Sequence, residues 1–370
     1  MYCRELKKPV ASAPVFPYTK DRNKREGSKS MRNHEVTEPR DLLNEAGNLA
    51  EPGWSRHLIQ RYDRSRIQAP AWRIKEWDYY LVMGRDFAGA FTISDDGYIG
   101  LPSVSLLGLG ERPWEHTETV LNTFPLGKLK LPGDSARGET VYEDKRLQMR
   151  FSAEPGQRRI TCRFERFWGE KPFSCDITLR QPDMESMVIA TPWPKDRHFY
   201  YNQKINCMRA SGWMEFDGVR YTFDPKTDFG TLDWGRGVWT YDNTWFWGSG
   251  NGDLNGVPFG FNIGYGFGDT RAATENVIFY NGKVHKLDDI TFHIPEDSYM
   301  KPWRFSSSDG RFEMDFVPIL DRAAKIDFKV LVSDQHQVFG KMSGEAVLDD
   351  GTVLTIRDIL CFAEKVHNRY

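Results

Sequence analysis

The stretch that decides the fold runs from Gly230 to Gly282 and reads GTLDWGRGVWTYDNTWFWGSGNGDLNGVPFGFNIGYGFGDTRAATENVIFYNG. Four tryptophans lie close together in it, at positions 234, 239, 245 and 247, and glycines recur from 248 to 268. Large rings supply apolar walls with a polar tip, and glycines let the backbone approach a ligand closely, which is typical of a concave ligand site. The same composition is also typical of a tryptophan-rich β core with glycines at barrel corners, and both interpretations stay open.

Aromatic and polar side chains of this stretch are the first candidates for contacting a ligand. The candidate ligand-binding residues here are Trp234, Trp239, Tyr241, Trp245, Trp247, Asn262, Tyr265 and Asn276. Tyr265 fits either a pocket wall or a core ring whose hydroxyl is hydrogen-bonded. Asn262 has the same two interpretations.

Turn dipeptides on both sides of the stretch predict the fold class. Asp96-Gly97, Asp217-Gly218, Asn281-Gly282, Asp309-Gly310 and Asp350-Gly351 each separate apolar or alternating runs. Such pairs are typical of two-residue type I′ hairpins, in which both central residues have positive φ. Because no run of twelve or more residues has clear 3.6-residue apolar periodicity, crossover helices are not expected. The sequence predicts an all-β protein of antiparallel β-barrels or curved sheets, with few short helices and one brief helical segment around residues 40–45.

The number of strands predicts two β domains behind a tail. Residues 1–35 are rich in Lys, Arg, Pro and Ser, and we expect a disordered basic tail. Roughly twenty strands exceed what one small barrel accommodates. We therefore place one β domain at 36–226 and a second at 227–370.

Composition limits the classes of partner and the compartment. Lys plus Arg, 50 residues, nearly balances Asp plus Glu, 52 residues, so no global field recruits nucleic acid or an anionic membrane. Five cysteines without a C-x-x-C pair predict reduced thiols. The most apolar window, residues 98–110, is too short to span a bilayer, and the N-terminus lacks a signal-peptide pattern. We predict a cytoplasmic protein that binds no nucleic acid and is not integral to a membrane.

Four segments carry a resemblance to a known family. They are VTEPRDLLNEAGNLAEPGWSR at 36–56, LDWGRGVW at 232–239, TENVIFYNGKVHKL at 274–287 and GEAVLDDGTVLTIRDILCFAEKVHNR at 344–369. These segments resemble the domain-of-unknown-function 2804 family over residues 36–370. The run from Tyr200 to Trp239 is also similar in layout to the carotenoid 1,2-hydratase, AttH-like and Diels-Alderase superfamily, whose members have two lipocalin-like (calycin) domains.

The resemblance to the wider superfamily implies a hydrophobic polyene, polyketide or terpenoid ligand and a catalytic aspartate. Asp233 lines up with that aspartate. No histidine lies near enough in the motif to be its partner, and the preceding strand offers Asn202 and Lys204 instead. This departure puts hydratase chemistry in doubt.

The chemistry of Asp233 has two interpretations. On a strand its side chain points opposite to those of Leu232 and Trp234. Burial beside tryptophan rings would raise its pKa and make it a proton donor to an alkene or carbonyl. Arg236 would instead keep it ionised in a structural ion pair.

Two further groups are candidates of the same kind. Glu275, next to Asn276, would orient a ligand or take part in proton transfer, or would satisfy backbone amides at the end of a strand. His116, flanked by Trp114 and Glu118, is a candidate contribution from the first half of the chain, with a satisfied core or surface histidine as the alternative.

No motif indicates a cofactor or metal. The G-x-G-x-G runs at 248–252 and 264–268 lack the third glycine of a dinucleotide fingerprint and a following helix. The eight histidines form no H-x-H or H-x-x-x-H pair. We expect no cofactor and no metal.

Three functions remain from the sequence. The first is binding of a hydrophobic small molecule, a lipid, terpenoid or polyketide, with or without cofactor-independent lyase or isomerase chemistry in which Asp233 is the acid. The second is a carbohydrate-binding or carbohydrate-active protein, which requires two carboxylates facing each other across an open cleft. The third is a structural or interaction module without a small ligand.

Overall fold

The protein is almost entirely β-structure, described by a computed structural model over residues 32–327 and 332–369. Its first seventeen strands are β1 (Arg40–Asp41), β2 (Gly53–Ser55), β3 (Gln60–Arg61), β4 (Ile74–Met83), β5 (Phe87–Asp95), β6 (Ile99–Gly100), β7 (Ser103–Gly108), β8 (Trp114–Thr119), β9 (Asn122–Thr123), β10 (Gly138–Glu143), β11 (Leu147–Glu154), β12 (Gln157–Trp168), β13 (Lys171–Arg180), β14 (Met187–Pro192), β15 (Phe199–Phe216), β16 (Val219–Phe223) and β17 (Phe229–Val238). The other nine are β18 (Asp242–Leu254), β19 (Val257–Tyr265), β20 (Val277–Tyr280), β21 (Lys283–Lys286), β22 (Ile290–His293), β23 (Trp303–Ser307), β24 (Phe312–Asp327), β25 (Val332–Val347) and β26 (Val353–Arg369).

Helical structure in the described residues is limited to two short 3-10 segments, Arg64–Arg66 and Ala71–Arg73. Asp63 caps the first through its side chain, which accepts from the Ser65 amide. The all-β prediction is therefore confirmed. The brief helix expected at 40–45 is wrong, because Arg40–Asp41 forms a parallel bridge pair with Gln60–Arg61 instead.

Two large antiparallel sheets account for most strands. The first has thirteen strands: ten follow the path β10-β11-β12-β13-β15-β17-β4-β5-β7-β8, β14 and β16 pair with β15, and β2 pairs with β14. The second has nine strands in the order β21-β20-β19-β18-β26-β25-β24-β23-β22. The chain changes sheet between Val238 and Asp242. The domain limit placed at 226/227 stays a prediction, as does the tail, whose residues 1–31 lie outside the described part of the chain.

The predicted hairpin turns are only partly of type I′. Asp217-Gly218 and Asn281-Gly282 have positive φ at both residues. At Asp96-Gly97, Asp309-Gly310 and Asp350-Gly351 the glycine alone has positive φ, so the type I′ prediction is wrong there. In these three turns the aspartate avoids positive φ, and glycine alone takes the positive φ that is costly for residues with a Cβ.

The first sheet is buried on both faces near its centre, and this positions the candidate site. Alternate side chains of β17, Leu232 and Trp234 among them, enter a core that belongs to the first sheet. Side chains of the opposite parity face the second sheet, where Tyr79, Tyr200 and Trp247 belong to a separate core cluster. A β-strand has a side-chain period of two, and β4 therefore supplies both clusters, with Tyr80 in the first and Tyr79 in the second.

Four described cysteines, at 162, 175, 207 and 361, are free thiols, and Cys3 lies outside the described residues. Burial raises the pKa of the Cys361 thiol. These cysteines behave as small apolar side chains of the core, as the sequence indicated.

Candidate functional site

A buried ion pair on the face of β17 toward the second sheet is the centre of the candidate site. Lys204 is the Cα partner of Asp233 across the β15-β17 ladder. Its Nζ lies 2.8 Å from Oδ1 of Asp233, and Nδ2 of Asn202 donates to the same oxygen at 2.6 Å. Two N–H donors on one oxygen stabilise the ionised carboxylate. Asp233 is thus a fixed negative charge held by the two residues that the preceding strand was expected to offer.

Arg236 is not the partner of Asp233. Because the two positions are three apart on a strand, their side chains point to opposite faces. The guanidinium of Arg236 is fully buried and donates through Nη2 to Asp78 Oδ1 at 3.0 Å and through Nη1 to the Trp77 carbonyl at 2.8 Å. The ion pair predicted between Asp233 and Arg236 is therefore wrong, and Lys204 takes the role given to Arg236.

The second sheet covers the ion pair with an aromatic ring. Nζ of Lys204 lies 3.8 Å from the centroid of the Trp247 ring. The indole N–H of Trp247 donates to Asn262 Oδ1 at 2.7 Å, and Asn262 Nδ2 donates to the carbonyl of Glu275 at 3.0 Å. A cation over a tryptophan face is an attractive contact, more so when both groups are removed from water. Trp247 and Asn262 thus join Asp233 and Glu275 into one polar group between the sheets.

Glu275 is the most unusual titratable group in this arrangement. Its Oε2 accepts a hydrogen bond from the Tyr200 hydroxyl at 3.2 Å, while Oε1 is buried without a hydrogen-bond partner. Burial raises the pKa of the Glu275 carboxyl, and with the opposing charge of Lys204 and the reinforcing charge of Asp233 the pKa is about 7. A carboxyl with a pKa near neutrality is suited to accept and return a proton.

Gly264 makes room for this carboxyl. A Cβ at that position would lie 2.5 Å from Glu275 Oε1. Glu275 itself lies just before β20, and its neighbour Asn276 is bound through its side chain, which accepts from the Gly264 amide at 2.7 Å and donates to the Asp288 carbonyl at 2.9 Å. Both hydrogen bonds of the Asn276 side chain are thus to backbone groups, and they fix the chain beside Glu275.

We call Asn202, Lys204, Asp233, Trp247, Asn262, Glu275 and Tyr200 the inter-sheet site. Beside it six rings make a continuous contact network, which we call the ring cluster: Trp77, Trp193, Tyr200, Trp239, Trp245 and Phe267. Tyr200 belongs to both, because its ring stacks on Phe267 with centroids 5.0 Å apart.

The ring cluster has a buried floor and a partly exposed rim. Trp239 and Phe267 are buried, whereas Trp77, Trp193 and Trp245 are each partly exposed. The indole N–H groups of Trp193 and Trp239 are buried without a hydrogen-bond partner, and so is Oδ1 of Asn202. Unpaired buried polar atoms are uncommon in folded proteins, and each calls for a physical explanation.

A second buried carboxyl is close enough to Lys204 to be influenced by its charge. Glu364 of β26 accepts from the indole N–H of Trp245 at 3.0 Å and from Gln337 at 2.9 Å. Burial raises the pKa of Glu364. Tyr79, whose pKa burial raises to about 12, contacts Trp247 edge to face at 6.0 Å between centroids.

The structure separates the predicted site residues into two sets. It brings together Asn202, Lys204, Asp233, Trp239, Trp245, Trp247, Asn262 and Glu275. The others lie elsewhere. Trp234 packs on Tyr62 and Tyr201 in the first core. Tyr265 stacks on Phe246 in the second core, and Tyr241 is exposed. His116 stacks on Trp168 with centroids 4.4 Å apart and contacts the Phe167 carbonyl through Nε2 at 2.8 Å, away from the inter-sheet site.

Sequence reasoning did not select Tyr200, Tyr79, Trp77 or Glu364 as site residues. Trp77 and Tyr79 alternate with core residues on β4, and Tyr200 alternates with Tyr201 on β15, so period-two alternation marked the correct face. Alternation does not show that both faces of β4 and β15 are covered, so it did not mark these aromatic residues as part of a site. Glu364 had no local signal, since it reaches the site through the β18-β26 ladder.

No group of three or more His, Cys, Asp or Glu side chains in the described residues is arranged to hold a metal ion. Within residues 32–327 and 332–369, no helix has the length and apolarity needed to cross a bilayer.

Comparison with known proteins gives a family match and distant structural neighbours. The family model "Domain of unknown function (DUF2804)" matches residues 33–370. No curated protein matches the sequence. Kievitone hydratase from Nectria haematococca is 11% identical with a TM-score of 0.49, covering 89% of this chain and 98% of its own.

Two other solved structures are similarly distant. CghA with Sch210972 is 9% identical with a TM-score of 0.47, covering 89% of this chain and 96% of that one. A putative AttH from Nitrosomonas europaea is 12% identical with a TM-score of 0.45, covering 80% and 92%. At this level of similarity the neighbours supply no activity for this chain.

Proposed function

Since the chain belongs to the DUF2804 family, whose function is unknown, we propose its function from the inter-sheet site itself: it binds a hydrophobic small molecule against the ring cluster, and Glu275 exchanges a proton with that molecule. The observation that carries the proposal is a buried carboxyl with a pKa near 7 and one unpaired oxygen, hydrogen-bonded to Tyr200 of the ring cluster.

The ring cluster supports an apolar ligand. Ligand sites for small molecules are lined mainly by apolar and aromatic side chains, with a few polar groups that fix orientation. Trp239 and Phe267 provide the apolar floor, and the partly exposed Trp77, Trp193 and Trp245 border it on the solvent side. The unpaired indole N–H groups of Trp193 and Trp239 are donors for a ligand oxygen.

The chemistry divides between two carboxyls with different environments. Asp233 is held by Lys204 and Asn202 through one carboxylate oxygen. Glu275 has a raised pKa and a free oxygen, so it is the proton donor or acceptor, in place of Asp233, which the sequence had favoured. Such chemistry needs only a positioned acid or base and fits hydration, isomerisation or cyclisation without a cofactor.

The carbohydrate alternative receives less support from the same geometry. A glycosidase needs two carboxyl groups that both reach the sugar. Oδ1 of Asp233 is occupied by two N–H donors, and the Trp239 and Trp247 rings are 4% and 5% exposed, unlike open stacking platforms. The third alternative, a structural or interaction module, predicts that the protein carries no small molecule in the experiment below.

The test is native mass spectrometry with organic extraction of the protein purified from its own host. We expect the wild type to carry an apolar molecule and the Trp247→Ala variant to lose it. Glu275→Gln keeps the site's shape but removes the titratable oxygen. If Glu275 performs chemistry, the molecule extracted from this variant should differ from the wild-type one in mass for a hydration, or in chromatographic retention for an isomerisation or cyclisation. If wild type and Glu275→Gln carry the same molecule, the protein binds this ligand but Glu275 does not act on it. Empty wild-type and variant proteins of equal stability would refute the proposal.

Asp233→Asn is the matched comparison with Glu275→Gln, because it removes the carboxylate that pairs with Lys204. It leaves Lys204 without its anion and should weaken retention of the ligand without changing the ligand's chemical identity. If instead unreacted ligand accumulates on Asp233→Asn and not on Glu275→Gln, the two roles are the reverse of those proposed here.

A further inference from the structure

Five of the large apolar side chains that the protein exposes are concentrated at one end of the first sheet. Trp72 is 49% exposed, Leu121 61% and Phe124 60%, and Leu101 and Leu126 are also exposed. We call these five residues the apolar end. Together these exposed side chains form an apolar surface, which is typical of a binding or membrane-contacting region.

Backbone contacts hold the apolar end together as one surface. The Leu126 amide donates to the Gly97 carbonyl at 3.1 Å, and a Cβ on Gly97 would lie 2.4 Å from the carbonyl oxygen of Trp72. The pairing of β6 with β9 joins Gly100 to Asn122, which places Leu101 and Leu121 in neighbouring positions. The five side chains therefore belong to three adjoining segments.

The loop that carries most of these side chains has an unusual backbone. Phe124, Leu126 and Lys130 have φ of 51°, 54° and 52°, in the left-handed region that glycine normally occupies. Phe124 and Leu126 nevertheless point apolar side chains at solvent. Strained backbone that gains no core packing is a feature of functional surfaces.

The exposed charges near the apolar end are mostly positive. Two acids directly before Gly97 also lie close by, but Asp95 is buried and Asp96 is only partly exposed. Residues 120–133, VLNTFPLGKLKLPG, contain two lysines and no Asp or Glu. An adjacent open groove of about 790 Å³ is lined by Trp72 and Tyr241 together with Arg73, Lys195, Arg197 and a single acid, Asp196. The whole chain has a formal net charge of -2, so this local excess of cations is not a consequence of composition.

We propose that the apolar end docks this protein onto an anionic lipid surface. Leu121, Phe124 and Trp72 insert at the boundary between headgroups and acyl chains, and Lys128 and Lys130 contact the anionic headgroups. Apolar side chains flanked by cations are the combination that binds peripheral proteins to acidic bilayers. The cations favour a lipid surface over an apolar protein partner or a second copy of this chain, which would present the same positive charge.

The groove places this surface next to the ring cluster. Nη2 of Arg73, a groove residue, donates to the Trp239 carbonyl at 2.8 Å. Docking would therefore bring the lipid phase close to the rings that the proposed function assigns to an apolar ligand. The docking proposal stands on the surface alone and does not depend on that function.

Co-sedimentation of the full-length protein with sucrose-loaded vesicles tests the proposal. One vesicle set is phosphatidylcholine alone, and the other is an equimolar mixture of phosphatidylcholine and phosphatidylglycerol. We expect partition into the mixed vesicles to exceed partition into the neutral ones and to fall as salt is raised.

Three double variants make the result specific. Leu121→Ser with Phe124→Ser should lower partition at least about tenfold, since it removes the inserted apolar groups. Lys128→Gln with Lys130→Gln should lower it about 30-fold, from about 1 kcal/mol for each lysine near an anionic surface. Val219→Ser with Val353→Ser changes two exposed valines outside the apolar end and should leave partition unchanged.

Other outcomes overturn the proposal. Wild-type protein that stays in the supernatant with both vesicle sets refutes docking on lipid. Vesicle binding that all three double variants retain would place the contact elsewhere, for example on the basic residues at 20–25. Association between copies without vesicles, abolished by Leu121→Ser with Phe124→Ser, would assign the apolar end to a second copy instead.

Discussion

Replacing Glu275 by glutamine should change how the stability of the protein depends on pH. Burial raises the pKa of this carboxyl from 4.5 to about 7 in the folded protein, whereas the unfolded chain keeps the ordinary value. Between these pH values the unfolded state releases a proton that the folded state retains. Rising pH therefore favours unfolding through Glu275, and the effect ends once pH exceeds about 7.

The size of the effect follows from the two pKa values. A difference from 4.5 to about 7, at about 1.4 kcal/mol for each pH unit, corresponds to about 3 kcal/mol. The glutamine variant lacks the titration. The free energy of unfolding of wild type relative to Glu275→Gln should thus fall by about 3 kcal/mol from below pH 4.5 to above pH 7.

Urea unfolding followed by tryptophan fluorescence at a series of pH values measures this difference. Other titrating groups cancel when wild type and variant are compared at each pH. Glu38→Gln, at an exposed position, is the matched control and should show no such change. A wild-type-minus-variant difference that stays constant across the series would refute the account of a neutral, buried Glu275.

Three further substitutions test the separate parts of the structure. Lys204→Met should cost about 3–5 kcal/mol in urea unfolding because it leaves the Asp233 charge buried, and adding Asp233→Asn should recover much of the loss; no recovery would contradict the ion pair. Arg236→Met should lower stability by about 3 kcal/mol while leaving retention of the extracted ligand unchanged in mass spectrometry, because its side chain occupies the opposite face of the strand; loss of ligand at full stability would place it in the site. Gly264→Ala places a Cβ 2.5 Å from Glu275 Oε1, so it should cost about 1–3 kcal/mol and displace the carboxyl; a variant with unaltered stability and ligand retention would contradict the close approach.

The sequence predicted the fold class and the region of the site because both depend on local patterns. Turn dipeptides and period-two alternation predict antiparallel strands without long-range information. The alternation also placed Asp233 opposite Leu232 and Trp234. The same rule places Asp233 and Arg236 on opposite faces of the strand, which is why the ion pair predicted between them is wrong.

The partners of the site residues depend on register and on sheet order, which no local pattern contains. Lys204 meets Asp233 because β15 and β17 pair at that register, across 29 positions of sequence. Trp247 approaches the same group from a different sheet. Positions 234 and 239 have opposite parity, so alternation places Trp234 and Trp239 on opposite faces, but it does not tell which core each face meets.

The raised pKa of Glu275 likewise arises from tertiary structure. The sequence offered Glu275 and Asn276 as neighbours with either a ligand or a structural role. The structure gives the two residues different environments: Asn276 is saturated by backbone groups, while Glu275 retains an unpaired oxygen. Burial and the nearby Asp233 charge separate their roles.

A crystal structure of the protein with 2-naphthol tests the central claim most directly, because this probe combines a flat apolar ring system with one hydroxyl. The account predicts that the rings of 2-naphthol pack against the ring cluster and that its oxygen lies within hydrogen-bond distance of Oε1 of Glu275. Binding of 2-naphthol at another place in the protein, with Trp239 and Glu275 unaltered and uncontacted, would contradict the assignment of the inter-sheet site.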